Sequence, residues 1–345
     1  MHKPEVLPEY PSTSVLNDDE VRLWHTRAVA SLSRLEGVLE ALPNSGVLLE
    51  SVPLTEARDS CGIENILTSA DDAFRALTVS EGAAGAAVRE VVNYRGAMDV
   101  ATGEDLNVRL TEDVCSVVKG RRMTMRGPGE QVYLKDSEGG IVRTPPSGDD
   151  VQGLMQELLD RIGGYDDPLL RMAVFHLMFE TIHPFMDGNG RTGRILNEAV
   201  LVQSGLISRP VLFISGFLNR NRRYYYRFML QVQRRGVWEP YLAFMFQSVA
   251  ESAERTEKTV LAVRDEYERF AGQTSDLLFC DRHLLDVLFS HVYTKIPFLV
   301  DAGICSRNSA SRYLTILEER GLLRSEKVGR ERLYLNTGLF EILRN

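Results

Sequence analysis

A chain of 345 residues is long enough for more than one hydrophobic core, because domains usually hold roughly 100–200 residues each. Its apolar and charged fractions, 44% and 26%, are those of an ordinary folded protein and exclude a disordered or low-complexity chain. A net charge of −8 argues against a surface coated everywhere by nucleic acid, although an average of this kind hides local basic patches.

The N-terminal MHKPEVLPEYPSTS has neither the apolar core nor the cleavage site of a secretory signal, and no apolar run reaches the ~20 residues that span a bilayer. The expectation is a cytoplasmic protein with no membrane partner. Cys61, Cys115, Cys280 and Cys305 stand singly, without a CxxC pair, and read as buried thiols rather than a zinc or disulfide framework.

Residues 1–20, rich in Pro, Ser and acids, read as an extended arm. DDEVRLWHTRAVASLSRLEGVLEAL then carries apolar residues three and four apart, which predicts an amphipathic helix. The same pattern predicts helix from Thr55 to Leu77 and from Ala83 to Met98, with Gly82 and Gly85 marking the gap. In the body of the chain strand signals appear only around QVYLKDSEGGIVRTPPSG, where two short β-compatible runs flank DSEGG and two prolines close the second run; this predicts a hairpin. Helical periodicity resumes in DDVQGLMQELLDRI and in DPLLRMAVFHLMFETI, the latter apolar enough all round to lie in a core. RILNEAVLVQSGL, NRRYYYRFMLQVQRRG and the segment from Trp238 to Gly272 also read as helices, and AGQTSDLLFC breaks the pattern before a different unit begins near Asp281.

Between two of these helices lies HPFMDGNGRTGR, residues 183–194. Gly188 and Gly190 lack Cβ atoms, so the backbone can turn sharply and aim its N–H groups at one spot, at what would be a helix N-terminus. Such a spot binds phosphates. Arg191 and Arg194 share a helix face and can grip phosphate oxygens; Asp187 suits Mg²⁺, which takes one or two protein carboxylates plus substrate phosphates. His183, with a reference pKa of about 6.5, can accept a proton at neutral pH, and Phe185 would point inward and anchor the loop. The set describes phosphoryl or nucleotidyl transfer. A calcium loop fits less well: Asp187, Asn189 and Glu198 fall at EF-hand spacing, but Arg191 and Thr192 stand where a ligand and a turn glycine are required.

At every specified position HPFMDGNGRTGR resembles the signature of the Fic family, His-x-Phe-x-(Asp/Glu)-Gly-Asn-Gly-Arg-x-x-Arg. The resemblance implies a mainly α fold, a Fic-type helical core with a β-hairpin flap. It also implies transfer of AMP from ATP, with Mg²⁺, to a Tyr, Thr or Ser hydroxyl of a protein. By the same resemblance His183 deprotonates the hydroxyl and Asp187 ligates Mg²⁺. Gly188, Asn189 and Gly190 line the anion hole, Arg191 holds phosphates and Arg194 the γ-phosphate. The hairpin resembles the edge on which a target strand pairs, and Tyr225 and Tyr226 would approach the adenine, although a tyrosine cluster also serves as core packing. EARDSCGIENILTSADDAFRA is similar to the family's inhibitory helix, (Ser/Thr)-x-x-x-Glu-(Gly/Asn), through Ser60, Glu64 and Asn65. Glu64 would then pair with Arg194 and occupy the place of the γ-phosphate. Alone, a Ser and a Glu one helical turn apart read as a solvated face.

The last unit, with DAGICSRNSASRYLTILEERGLL at its centre, reads as helix, helix, turn and helix, then two short strands around a basic turn, and resembles a small winged helix-turn-helix domain. Gly303 would make the turn, Ser306 cap the next helix, and Tyr313, Leu314 and Leu317 form its core face. Arg307, Asn308, Ser311 and Arg312 would lie outward to meet DNA, with Lys327, Arg330 and Arg332 on or near the wing. From Arg320 to Arg332 five basic residues face two acids, which allows DNA binding; a protein partner or a second copy of the chain is the alternative. The division expected is an N-terminal helical region over 1–110 with the inhibitory helix near 55–77, a catalytic core over 111–272 and the winged helix over 281–345. The primary expectation is a protein adenylyltransferase, its target another protein or the chain itself. The alternatives are a DNA-binding regulator with a nucleotide-sensing core, and an enzyme that uses another donor or removes AMP.

Overall fold

The computed structural model describes residues 6–42, 52–78, 85–135, 139–329 and 331–344. Within them lie fifteen α-helices and two small antiparallel sheets. The arm runs into a 3₁₀ turn (Thr13–Asn17) and is anchored, Tyr165 donating to the Pro11 carbonyl (2.6 Å) and Trp238 to that of Glu9 (3.0 Å). Helix α1 (Asp19–Ala41) forms as expected: Asp18 caps it by accepting from the Glu20 and Val21 amides, and its stripe of Val21, Ala28, Leu32, Leu35 and Leu39 is buried.

The single helical stretch expected from Thr55 to Leu77 is instead two helices, α2 (Val52–Ile63) and α3 (Ala70–Ala76). The chain turns at Asn65, whose φ is 61°. The Ile66 amide donates back to the Cys61 carbonyl and the Asn65 amide to that of Gly62, both at 3.0 Å, the bond pair that closes a helix around a left-handed residue. Helix α4 (Ala86–Gly103) follows, and then α5 (Val108–Lys119), which the sequence pattern did not assign although it buries Leu110, Val114, Cys115 and Val118 on one face.

The hairpin is short: β1 (Leu134–Lys135) and β2 (Ile141–Arg143) pair Leu134 with Arg143 and Lys135 with Ile141, with an irregularity between the two β1 residues. Its turn, 136–138, lies outside the described residues. Helix α6 (Gly148–Ile162) leads to α7 (Pro168–Ile182), started by the Asp167 cap and Pro168 and buried on nearly every side, as its all-round apolar pattern requires. Next come α8 (Asn189–Gln203), equally buried, the short α9 (Ile214–Arg220), α10 (Arg222–Arg235) and the 35-residue α11 (Glu239–Gln273), which lies along α1.

The C-terminal unit runs α12 (Arg282–Ser290), β3 (Tyr293–Thr294), α13 (Ile296–Asp301), α14 (Arg307–Glu319), β4 (Leu323–Val328), β5 (Glu331–Asn336) and α15 (Thr337–Leu343), with sheet order β3-β5-β4. Strand β3 and helix α15 were not expected. Gly303 turns with φ 72°, Ser306 caps α14, and Leu314 and Leu317 are buried. Tyr313 is half-buried, stacked on Phe279 with 4.1 Å between ring centroids. The unit is joined to the rest by more than α11: Thr55 donates to the Leu343 carbonyl (3.2 Å), Arg75 pairs with Glu326 (2.8 Å) and Phe74 meets Phe340 edge-on.

Candidate active site

Helix α7 delivers His183. Its backbone is left-handed (φ 51°, ψ 63°) and ends the helix by donating to the Phe179 carbonyl at 2.8 Å. The imidazole is nearly buried, and burial, followed by the charges of Arg143 and Arg126, pushes its pKa down to about 4. With a pKa below the reference value of 6.5, the ring is neutral at physiological pH, with a lone pair to take a proton, and holds that proton less tightly than an exposed histidine would. Glu180, one turn back on α7, places a carboxylate oxygen 3.9 Å from Nδ1. Burial raises its pKa to about 7, opposed by Arg194.

Beyond His183 the loop is fastened from inside. Phe185 is fully buried as expected, and the Asn189 side chain accepts from the Phe185 amide (2.8 Å) and donates to its carbonyl (2.7 Å). Both ends of the Asn189 amide are thus committed to the loop. What Asn189 presents to an anion is therefore its backbone N–H, in the first turn of α8. Gly188, at φ 89°, takes the conformation that lets α8 begin there. The first-turn N–H groups have no partner within the helix and carry the positive end of its dipole.

Asp187 is more than half exposed at this mouth, its Oδ2 2.6 Å from Nζ of Lys119 on α5. Arg191 does not project toward solvent: its guanidinium is buried against Glu90 of α4, 3.9 Å from Asp187. Lys119 also reaches Glu90 at 3.5 Å. One accessible carboxylate that already attracts a cation, beside an anion cradle, fits Mg²⁺ bound jointly with phosphates.

Arg194 projects from the same helix into a buried socket. Its Nη2 donates to Glu64 Oε1 (2.7 Å) and to the Ser60 carbonyl (3.1 Å), and its Nε to Ser60 Oγ (2.8 Å). Burial works to raise the pKa of Glu64, but the Arg194 charge and hydrogen bond outweigh it and hold it below the usual range. The carboxylate lies directly over Gly190, where a Cβ would collide with it. Asn65 accepts from Arg222 (3.1 Å), so Ser60, Glu64 and Asn65 all engage this site.

These groups wall a cavity of about 700 Å³ that includes Glu64, Arg143, Glu180, His183, Arg194 and Tyr226. Tyr225 also lines it but is buried, its hydroxyl bonded to His176 at 2.6 Å; Tyr226 is the more exposed of the pair. Leu134 and Val142 bring the hairpin to the rim. The sequence pattern does not single out Glu90, Lys119, Arg126, Arg143 or Arg222. Glu180 is the one partner that helical spacing from His183 would have found.

In the C-terminal unit Arg307, Asn308, Arg312 and Lys327 are exposed and Ser311 partly so. Arg332 bonds across to Glu318 (3.0 Å) and Ser325, and Arg330 lies outside the described residues.

A helical core thus gathers a left-handed histidine, a glycine-bearing helix N-terminus and the buried Arg194 at one cavity, an arrangement chemically suited to phosphates. Residues 24–103 match the Fic/DOC family N-terminal model, 106–201 the Fic/DOC family model and 274–339 the C-terminal domain of SoFic-like protein adenylyltransferases. The chain belongs to the Fic/DOC family. It is 30% identical over 151 residues to protein adenylyltransferase Fic of Nematostella vectensis, covering 43% of this chain and 31% of that protein. Its likeness to the Drosophila mojavensis protein of the same name is 25% over 318 residues, 83% of this chain and 57% of the other. The chain thus spans less than two thirds of these relatives. A Fic family protein from Desulfovibrio desulfuricans G20 shares the fold, with a TM-score of 0.59 at 18% identity over 97% of this chain and 98% of that one.

Proposed function

We propose that the protein is an adenylyltransferase that moves AMP from ATP to a Tyr, Thr or Ser hydroxyl of a protein, and that Glu64 holds it in check. The observation that carries this reading is Arg194, fixed between Glu64 and Ser60 directly beside the anion cradle at the start of α8. The α- and β-phosphates would rest on the first-turn N–H groups around Gly188, Asn189 and Gly190. Arg194, once released by Glu64, would take the γ-phosphate. Neutral His183 would accept the target's proton as its oxygen attacks the α-phosphorus and the bond to the pyrophosphate oxygen breaks. Mg²⁺, held by Asp187 and the phosphates, would neutralise charge on the departing pyrophosphate. Arg191, spent on Glu90, would set the loop that carries Asp187 and lend positive potential rather than a direct grip. Tyr226 at the rim is the better placed of the two tyrosines to meet the adenine, and the hairpin would pair with the target strand.

Transfer of labelled AMP from α-labelled ATP tests this in wild type, Glu64→Gly and Glu64→Gly/His183→Ala. Label in the single variant alone supports both activity and brake. No label in any of them, with candidate targets present, refutes ATP as the donor for those targets.

The C-terminal unit supports a second role. The order of helices and strands there suits a winged helix, and α14 exposes Arg307, Asn308 and Arg312. Duplex DNA retention that falls with salt and with Arg307→Ala/Arg312→Ala supports DNA binding; retention unmoved by the substitutions excludes that face.

A further inference from the structure

We propose that Arg126 is a positioning residue, whose guanidinium at the root of the hairpin holds His183 in the backbone conformation that aims its ring into the cavity. The inference rests on the reading of His183 as the base. A non-glycine residue in the left-handed region persists only where its surroundings impose it. Arg126 supplies that constraint from both sides. Its Nη2 donates to the Ile182 carbonyl (3.0 Å), its Nε to the His183 carbonyl (2.9 Å) and its own amide to the Pro184 carbonyl (2.7 Å). Three successive carbonyls, two of them at the end of α7 where no helical donor remains, are met by one buried side chain and its backbone.

The remaining donor, Nη1, reaches the Glu130 carbonyl at 3.2 Å, so the same residue ties His183 to the chain that leads into β1. A planar fork with several donors can serve these acceptors together; a lysine ammonium cannot. Ion pairing is not what buries it: the acceptors are carbonyls, and the negative end of the helix dipole faces its charge. That charge also bears on the imidazole. The other charged groups facing His183 are Arg143 of β2, Glu64 at the end of α2, Glu180 on α7, Arg194 of α8 and Arg222 of α10.

The test uses the full chain with Glu64→Gly, adding Arg126→Lys or Arg126→Gln. Both are expected to keep the ATP Kd while kcat falls on the order of 100-fold, the size of effect a small misplacement of a reacting group produces. The acid limb of the pH–rate profile should move to higher pH in Arg126→Gln, which loses the charge that disfavours imidazolium, and stay in place in Arg126→Lys. Unchanged kcat in both variants, a loss confined to ATP Kd, or loss of the cooperative unfolding transition in the lysine variant would each overturn the proposal. If the Glu64→Gly parent transfers no AMP at all, the reading of the site has failed instead. Amide exchange then decides the role of Arg126: acceleration in Arg126→Lys confined to residues 182–185 supports it, and none overturns it.

Discussion

Arg194 has one guanidinium and two claims on it. In this structure Glu64 satisfies the first, and removing that carboxylate leaves a buried charge with Ser60 alone. Breaking a buried pair costs several kcal/mol, but Glu64 is about one-third exposed, so Glu64→Gly should lower stability by roughly 1–3 kcal/mol without nucleotide. MgATP should then raise the melting temperature more in Glu64→Gly than in wild type, because the γ-phosphate supplies the missing partner. Equal shifts would place Arg194 away from the γ-phosphate. Titration gives a second test. His183 at about 4 and His176 at about 3 are both held neutral, chiefly by burial. Their folded pKa values lie below the unfolded 6.5, so the unfolded chain gains protons first, and stability present above pH 6.5 is lost as pH falls toward 4. Glu180 has the opposite sign. Its pKa is raised from 4.5 to about 7, so its contribution is complete below pH 4.5 and lost as pH rises through 7. Denaturant unfolding at several pH values should show a shallower alkaline decline in Glu180→Gln, with the acid decline kept.

The proposed brake depends on how a helix ends. Glu64 directly follows α2, and its carboxylate reaches Arg194 just before Asn65 turns left-handed. Asn65→Gly should preserve that geometry at the cost of the Arg222 bond. Asn65→Ala should strain it by about 1 kcal/mol, leaking basal AMP transfer by about fivefold in the labelling assay; no leak would mean that the turn survives a Cβ without help. This boundary also shows what a sequence can carry. The motif from His183 to Arg194 is legible because its parts are consecutive and its glycines and apolar anchors act locally. The turn at Asn65 was read through, since asparagine within a periodic run gives no stop as clear as glycine or proline. Helix α5 was passed over although its apolar spacing is present. Arg126, Lys119 and Glu90 were invisible for a different reason: each meets the site across 57 or more residues of chain, Arg126 at His183, Lys119 at Asp187 and Glu90 at Arg191, and no periodicity encodes such a meeting.

In the whole molecule α2, the helix proposed to carry the brake, is bonded both to the helical core and to the C-terminal unit. One face of α2 meets α9, where Glu56 accepts from the Ser215 amide and hydroxyl. It is also bonded to the C-terminal unit: Thr55 donates to the Leu343 carbonyl and Arg58 to that of Arg344, both at 3.2 Å. Helix α3 is gripped as well, Tyr293 of β3 donating to Asp71 at 2.5 Å and Arg75 pairing with Glu326 of β4. A unit bound to α2 and α3 in this way must oppose any displacement of Glu64, since α2 cannot shift without breaking those bonds. Thr55→Val keeps the shape but strands the Leu343 carbonyl, worth about 1 kcal/mol, and Arg58→Ala removes the neighbouring bond. The double variant should raise basal AMP transfer in the wild-type background and change nothing in Glu64→Gly, where no brake is left to loosen. A fall in melting temperature with no leak would reduce the C-terminal unit to a support for the fold. A leak that persists in Glu64→Gly would mean that the contacts act on the catalytic groups themselves. Only the combination of leak and masking identifies a coupling that runs from the C-terminal unit through α2 to Arg194.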